Sequence, residues 1–495
     1  MSILDAEQEG AEGSADAAQP LLPWSELSPR QQAEHCTTEL LCFLSAAALE
    51  QITSAGYLEE DVRWCITVPA MFNDRQRAAM RQAATAAGLS AEDGKLVLAL
   101  EPEAAAHYAR VSGTRLGGGG EAGSQDLTAP GVQIAVVDSG GGTVDLATYE
   151  NDENGRMIEI GKVNGARLGS NELNLRFEDR ILADRFGKPE LVAQLRAEVP
   201  EAMLDLHEAW ERAKLSFGPD SREPIPLPLP TAIDRRLGAT VRKRLARKQH
   251  GKTDAIIVSP EEVRELFDTV VPDILDLIDE QLDEAEMRRP ADAPMPVVLL
   301  AGGFGNSPYL QHAVKEHVRD RAVVLIPPDP ATAVLVGAMH FAYEPQTRAR
   351  RSRFTYGAST SMEFVAGTDP EEYRFVASDG RVRCNRRFAK LVTRGDIVDT
   401  EKASRETFLP LEGDQKNIQF TLYSSTEDNP RYVTDPGCER IGTITISLGK
   451  VMHLAQPDRE VELRMHFGET EIKVSAVVKK SGEEASTKMH FASDY

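Results

Sequence analysis

The apolar and polar positions divide the chain into two textures, with the change near Tyr343. Before it, short β-branched runs alternate with longer segments of helical period. The segment "SPRQQAEHCTTELLCFLSAAALEQI" predicts one helix, with Leu40, Leu44 and Leu49 among its apolar positions, and "DVRWCITVP" a short strand stopped by Pro69. An alanine-rich helix follows in "NDRQRAAMRQAATAAGL", with Asn73 as N-cap, Gln76 three residues on and Gly88 as the stop. Next come a strand, "KLVLAL", and a helix, "EPEAAAHYARV", whose Pro102 suits a first turn. This β-α-β-α alternation is the pattern of a parallel α/β sheet. It puts Glu101 at the carboxyl end of a strand, where such sheets bind ligands.

A flexible linker, "LGGGGEAGSQDLTAPG", leads to "QIAVVDSGGGTVDLATYE", Gln133 to Glu150, which reads as two strands around three consecutive glycines. Beyond it "LHEAWERAKLSF" predicts a helix, and "SPEEVRELFDTVVPDILDLIDEQLDEAE" predicts a long one. Ser259, Pro260 and Glu262 form the start signature of that long helix, Leu266, Val270, Ile274 and Ile278 its buried face, and Pro272 a kink. "PVVLLAGGFGNSP" is a strand entering a second glycine turn, and "ATAVLVGAMHFAY" a closing apolar helix. Past Tyr343 the runs "KNIQFTLYSS", "IGTITISL", "REVELRMHF" and "TEIKVSAVVKK", separated by turns such as "TDPG" and "KKSGEE", predict an all-β sandwich or barrel.

A chain of 495 residues has room for more than one domain, and 41% hydrophobic with 27% charged residues is ordinary for a soluble globular protein. The excess of 78 Asp+Glu over 56 Lys+Arg, a net charge of −22, argues against bulk binding to nucleic acid or anionic membrane. No apolar run approaches the roughly 20 residues of a membrane span. Residues 1–24, acidic and rich in small residues, read as a disordered head rather than a signal or transit peptide. The five cysteines are odd in number and scattered, so neither a disulfide framework nor a zinc site is expected, and a reducing, cytoplasmic compartment is. The basic run "RRLGATVRKRLARKQHGK" reads as a solvated insertion, ahead of a contact with acidic lipid or protein.

Glycine turns let backbone N–H groups crowd an anion, because no Cβ blocks the approach. In "DSGGGTVD" the Thr143 hydroxyl could add a phosphate contact, and Asp138 and Asp145 make sense as partners of Mg2+ or its waters. The competing reading is a tight hairpin with solvated aspartates, and the motif alone leaves the two level. "LLAGGFGNSP" is by itself a tight strand–helix turn, and "WERAKLSF" an amphipathic helix with a solvated Glu211/Lys214 face. No lysine pattern of a P-loop follows any glycine run.

The succession "WCITVPAMFNDRQRAAMRQAATAAGL", "LALEPEAAAHYA", "VVDSGGGTVDLA", "ARLGSNEL", "ERAKLSF" and "LLAGGFGNSPYLQ" resembles the ATPase domain of the 70-kDa heat shock chaperones, from about Ser25 to Tyr343. The later "SRFTYGAS", "YSSTEDNPRYVTDPG" and "MHFGETEIKVSAV" resemble one divergent branch, the heat shock 70 kDa protein 12 type. The resemblance implies an actin-like (ribonuclease-H-like) α/β ATPase domain over residues 25–345, with ATP between two lobes, 25–115 and 131–345. A β-rich substrate-binding-like domain, 346–495, follows. By motif match Asp138 holds Mg2+ through water with Asp145 as a further partner, Gly140, Gly141, Gly142 and Thr143 line the phosphates, and Glu101 stands near the attacking water. Gly169 faces the nucleotide, Gly302 and Gly303 pack on the adenosine, and Glu211 and Lys214 meet its ribose and base. Extended or unfolded peptide segments and co-chaperones are the partners implied.

Nothing upstream of Ser25 matches the family's first phosphate loop or catalytic lysine, so lobe one is expected to be incomplete and hydrolysis is left open. Leu215 and Asn306 stand where a basic residue is common, Ser170 replaces a glycine, "QTRARRSR" replaces an apolar interdomain linker, and the chain reaches Tyr495 without a helical lid. A non-catalytic nucleotide-binding scaffold is the alternative expectation. A small-molecule kinase on the same fold is disfavoured by the β-rich tail and by "ERAK".

Overall fold

The computed structural model describes residues 27–90, 92, 94–112, 126–290, 293–467 and 472–488. The expected acidic head and the glycine-rich part of the first linker lie outside them.

The first unit opens with α1 (Pro29–Ser54), β1 (Trp64–Val68), α2 (Asp74–Ala86), β2 (Leu96–Leu100) and α3 (Glu101–Val111). Capping sets the helix starts: Ser28 with Gln31, and Asn73 with Gln76, form reciprocal capping boxes. Gly88, at φ +89°, ends α2 as expected. The strands β1 and β2 pair in parallel, Trp64 opposite Leu96 through Val68 opposite Leu100, and form a two-stranded sheet among the described residues. Of the apolar positions expected along α1, Leu40 and Leu44 lie in solvent, while the neighbouring Leu41 packs, like Trp64 and Ile66, against the cluster of Ala84, Leu89 and Leu96.

The second unit is built on an eight-stranded sheet. Here β3 (Gln133–Ser139) and β4 (Val144–Asn151) form the hairpin around the three glycines, followed by β5 (Met157–Glu159) and β6 (Asn164–Ala166). On the far side of β3 runs the parallel strand Val297–Ala301, and beyond β5 the strand Thr347–Arg351. Alternate residues of β3 enter different cores, as a fully buried strand requires. Ala135 and Val137 face the helices of residues 170–318, whereas Ile134 and Val136 face α3 and the closing helix Pro330–Tyr343. That closing helix crosses α3 so tightly that a Cβ on Gly337 would run into the Ala104 carbonyl.

Two sequence expectations change here. The single long helix is two, Pro260–Phe267 and Val271–Glu286, with the break at Asp268–Val270. Pro272 sits in the first turn of the second helix, where its missing N–H costs no bond, and therefore kinks nothing. The basic run near residue 240 folds as the helices Thr231–Arg236 and Ala239–Lys248. Several of its cations are neutralised by Asp184, Asp234 and Glu198.

Most of the strands after residue 353 form the expected sandwich. A five-stranded antiparallel sheet that includes Thr355–Glu363, Val382–Val392 and Asn417–Ser425 packs on a four-stranded one centred on Val461–His466 and Lys473–Val478. One strand of this region, Ile397–Asp399, instead pairs with Thr347–Arg351. The eight-stranded sheet therefore continues across residue 345, and "QTRARRSR" is mostly strand rather than free linker. Beyond that junction, Asp369 has no exposed side-chain surface and accepts hydrogen bonds from Arg387, Arg431, Tyr432 and the Val365 N–H.

Candidate functional site

Strand register assembles the site before any side-chain detail is considered. In the antiparallel β3–β4 pair Asp138 stands opposite Asp145, and on the other side of β3 Asp138 is level with Ala301, the residue before the second glycine turn. Both glycine turns thus emerge at the same end of the sheet, one on each side of Asp138. Because α3 starts directly from β2, its first residue, Glu101, faces the same pair of aspartates.

The turns are shaped by what a Cβ would strike. At Gly302, φ is +82°, and a side chain would collide with the Ser139 carbonyl and the Asp138 carboxylate. At Gly169 it would run into the backbone of Gly141 and Gly142. Gly142 and Gly303, in contrast, border open space. The Gly140 N–H closes the hairpin turn on the Thr143 carbonyl at 2.9 Å. The start of α4 (Ser170–Arg176) docks on the same turn, the Ser170 and Asn171 N–H groups donating to the Gly140 and Gly141 carbonyls at 3.1 and 2.8 Å.

The hairpin is tight, but its aspartates are buried rather than solvated: Asp138 is 6% and Asp145 1% exposed. Burial, then the charges of Asp138 and Asp145, push Glu101 up to about 8. Burial and Asp145 push Asp138 up to about 7. Asp145 is also raised by burial, against the pull of the Met71 N–H, the Thr143 hydroxyl and the Arg353 charge. Met71 donates to Asp145 Oδ1 at 2.8 Å, while the buried Oδ2 has no hydrogen bond of normal geometry. Three crowded acids and an unsatisfied oxygen are a site short of positive charge. Among the described residues no three His, Cys, Asp or Glu side chains are placed to ligate a metal directly, so a cation here would need water or ligand oxygens as well.

The structure therefore brings together Glu101, Asp138, Asp145, Gly140, Gly141, Gly142, Thr143, Gly169, Gly302 and Gly303. Glu211 and Lys214, on the helix Pro200–Ser216, are joined to the group through α4. Lys214 is not on a solvated face: its amino group is fully buried and donates to Glu211 Oε1 at 2.6 Å, Asn174 Oδ1 at 3.1 Å and the Ser170 carbonyl at 3.2 Å. Asn174 also donates to Glu211 at 2.5 Å and accepts from the Trp210 indole at 3.0 Å. Sequence reasoning missed Asn174, Met71 and Arg353. The quoted "GSNEL" lies beside Asn174, but nothing local marks Met71 or Arg353, whose partners are distant in the chain.

No helix among the described residues is long and apolar enough to cross a membrane. A family model described as "Domain of unknown function (DUF8340)" matches residues 128–327. The chain is 29% identical to heat shock 70 kDa protein 12A of Homo sapiens over 494 residues, covering 88% of this chain and 72% of that one. The protein of the same name from Mus musculus is similar at the same identity and coverage. Heat shock 70 kDa protein 12B of Homo sapiens is 31% identical over 518 residues, covering 92% of this chain and 74% of that one. The mixed α/β architecture with its large central sheet fits the actin-like fold of the wider family. With glycine turns and buried acids at one end of that sheet, and this similarity along most of its length, the chain belongs to the 70-kDa heat shock family, in its heat shock 70 kDa protein 12 branch.

Proposed function

We propose that this protein binds ATP with Mg2+ at the glycine turns and uses it as a chaperone-like switch. The observation that carries the reading is the electrostatic deficit around Asp138. Two buried aspartates and the half-buried Glu101 crowd together, Asp138 pushed up to about 7 and Glu101 to about 8, beside a turn whose glycines leave backbone open to an anion. A metal–phosphate supplies what that arrangement lacks, a cation for the acids and an anion for the N–H groups. The fit lies in the donor set: Asp138 and Asp145 would hold Mg2+ through water, and Gly140, Gly141, Gly142 and Thr143 would contact the phosphates. When bound, Mg2+ would spread the phosphate charge. Glu101, half-buried and raised to about 8, would in its ionised form accept a proton from an attacking water. Gly302 and Gly303 would receive the adenosine. Lys214 would act from beneath, holding Glu211 and α4 in place rather than reaching out to the ribose.

The expected test is titration calorimetry of MgATP into the full chain, with Asp138→Asn as the control. Binding that is lost in the variant supports the reading; no binding by a folded wild-type sample overturns it. On this reading the β-sandwich would take extended peptide segments by strand addition, with co-chaperones as further partners. ATP-sensitive binding of an unfolded model substrate would support that, and binding indifferent to nucleotide would argue against the coupling.

A second reading, a nucleotide-binding scaffold with little hydrolysis, is favoured by one detail. The first two N–H groups of α4 are spent on the Gly140 and Gly141 carbonyls, so that helix terminus does not add to a phosphate clamp. Steady-state phosphate release abolished by Asp138→Asn would rule it out.

A further inference from the structure

Glu101 is only as well placed as the turn that carries it, and that turn is unusual. Whereas α1 and α2 begin with capping boxes, the residue before α3 is Leu100, which provides no side-chain cap. The first-turn N–H groups of a helix have no partners within the helix, so an uncapped start frays unless something else holds it. Here the hold comes from the third residue of the turn and from far along the chain. Glu103 is 1% exposed and accepts two hydrogen bonds from Arg350 Nη2, both at 2.9 Å. The Thr347 hydroxyl donates to the same carboxylate.

Thr347 and Arg350 belong to the strand between β5 and Ile397–Asp399. The neighbouring arginines of that segment make other contacts. Arg348 pairs with Asp152 and Arg351 with Glu284, each at 3.0 Å, both partners in the second unit, while Arg353 donates to the Phe72 carbonyl. Arg350 is the one of these four that reaches α3. Removing one member of so buried a pair leaves an uncompensated charge inside the protein.

We propose that Arg350 is a positioning residue for the carboxylate site. Through Glu103 it fixes the first turn of α3, and with it Glu101, so the site is complete only while the strand Thr347–Arg351 is seated in the sheet. The ligand in this inference rests on the nucleotide reading; the link from Arg350 to α3 does not.

The test uses the full chain carrying Arg350→Met, Arg350→Lys, Glu103→Gln, or Glu103→Gln together with Arg350→Met. Hydrogen–deuterium exchange without nucleotide should rise in the peptide spanning residues 98–109 for Arg350→Met and return toward wild type for Arg350→Lys. Peptides from the sandwich core should not change. MgATP affinity should fall about tenfold in Arg350→Met and in Glu103→Gln, the scale at which a partner of a metal-site residue acts. The double variant should be no weaker than the singles, because the two residues act as one unit. If Arg350→Met fails to fold, the double variant, which leaves no buried unpaired charge, carries the test. Unchanged exchange in residues 98–109, or additive losses, would overturn the proposal. A wild type that binds MgATP alongside an Arg350→Met variant that binds it equally well sinks the link and spares the nucleotide reading. A wild type that binds none, with exchange that still responds, does the reverse.

Discussion

At the scale of single residues, the site is governed by charge kept out of water. A carboxylic acid whose folded pKa is raised keeps in the fold a proton that the unfolded chain has already released. The contribution of Glu101 and Asp138 is therefore most favourable below the ordinary carboxylate range, and it is lost as pH rises through about 7 for Asp138 and about 8 for Glu101. Thermal scans of the nucleotide-free protein should show the melting temperature falling more steeply in the wild type than in Asp138→Asn as pH rises from about 4 to about 8. Equal slopes would show that the crowding is relieved some other way. Gly302→Ala should lose MgATP binding and stability together, since the new methyl group would press on the Asp138 carboxylate at a φ that non-glycine residues avoid. Calorimetry and a melting curve on one sample check both. Sequence alone made Asp138, Asp145 and Gly140 to Gly142 legible, because one local turn carries them all. It could not show Lys214 enclosed beneath α4, since two of that lysine's acceptors, Ser170 and Asn174, lie 44 and 40 positions away.

Elements were legible where their signals are local. The caps Asn73 with Gln76 and Ser259 with Glu262 form as the sequence suggests, because a capping box needs only four consecutive residues. Pro272 was misplaced for a physical reason. The apolar period runs on through residues 268–270, and only the backbone, with Val270 at φ −131°, shows that one helix ends and another starts. Pro272→Ala should therefore cost less than about 1 kcal/mol, the entropy a first-turn proline removes from the unfolded chain. A proline inside a continuous helix would give the opposite sign, and urea denaturation distinguishes the two. Gly337→Leu should be far more damaging than the roughly 1–3 kcal/mol of ordinary overpacking, because the obstacle at Ala104 is backbone. It should also weaken MgATP binding by shifting α3, as a paired stability and calorimetry measurement would show.

For the whole molecule, the sequence presents residue 345 as a change of texture, and the structure presents it as a place where hydrogen bonding does not stop. Composition cannot reveal this, since the joining strand is a run of arginines that reads as exposed. Its burial depends on Glu103, Asp152 and Glu284, each more than 60 positions away. In practical terms, two polypeptides made by dividing the gene at this texture change would each carry half of a broken ladder. The larger would expose the outer side of β5, and the smaller would begin with a charged strand that has lost its parallel neighbour. Each should be poorly soluble alone. Produced together they should find one another and co-purify as a pair, so that a two-piece version of this protein could serve as a reporter of proximity between whatever is fused to its ends.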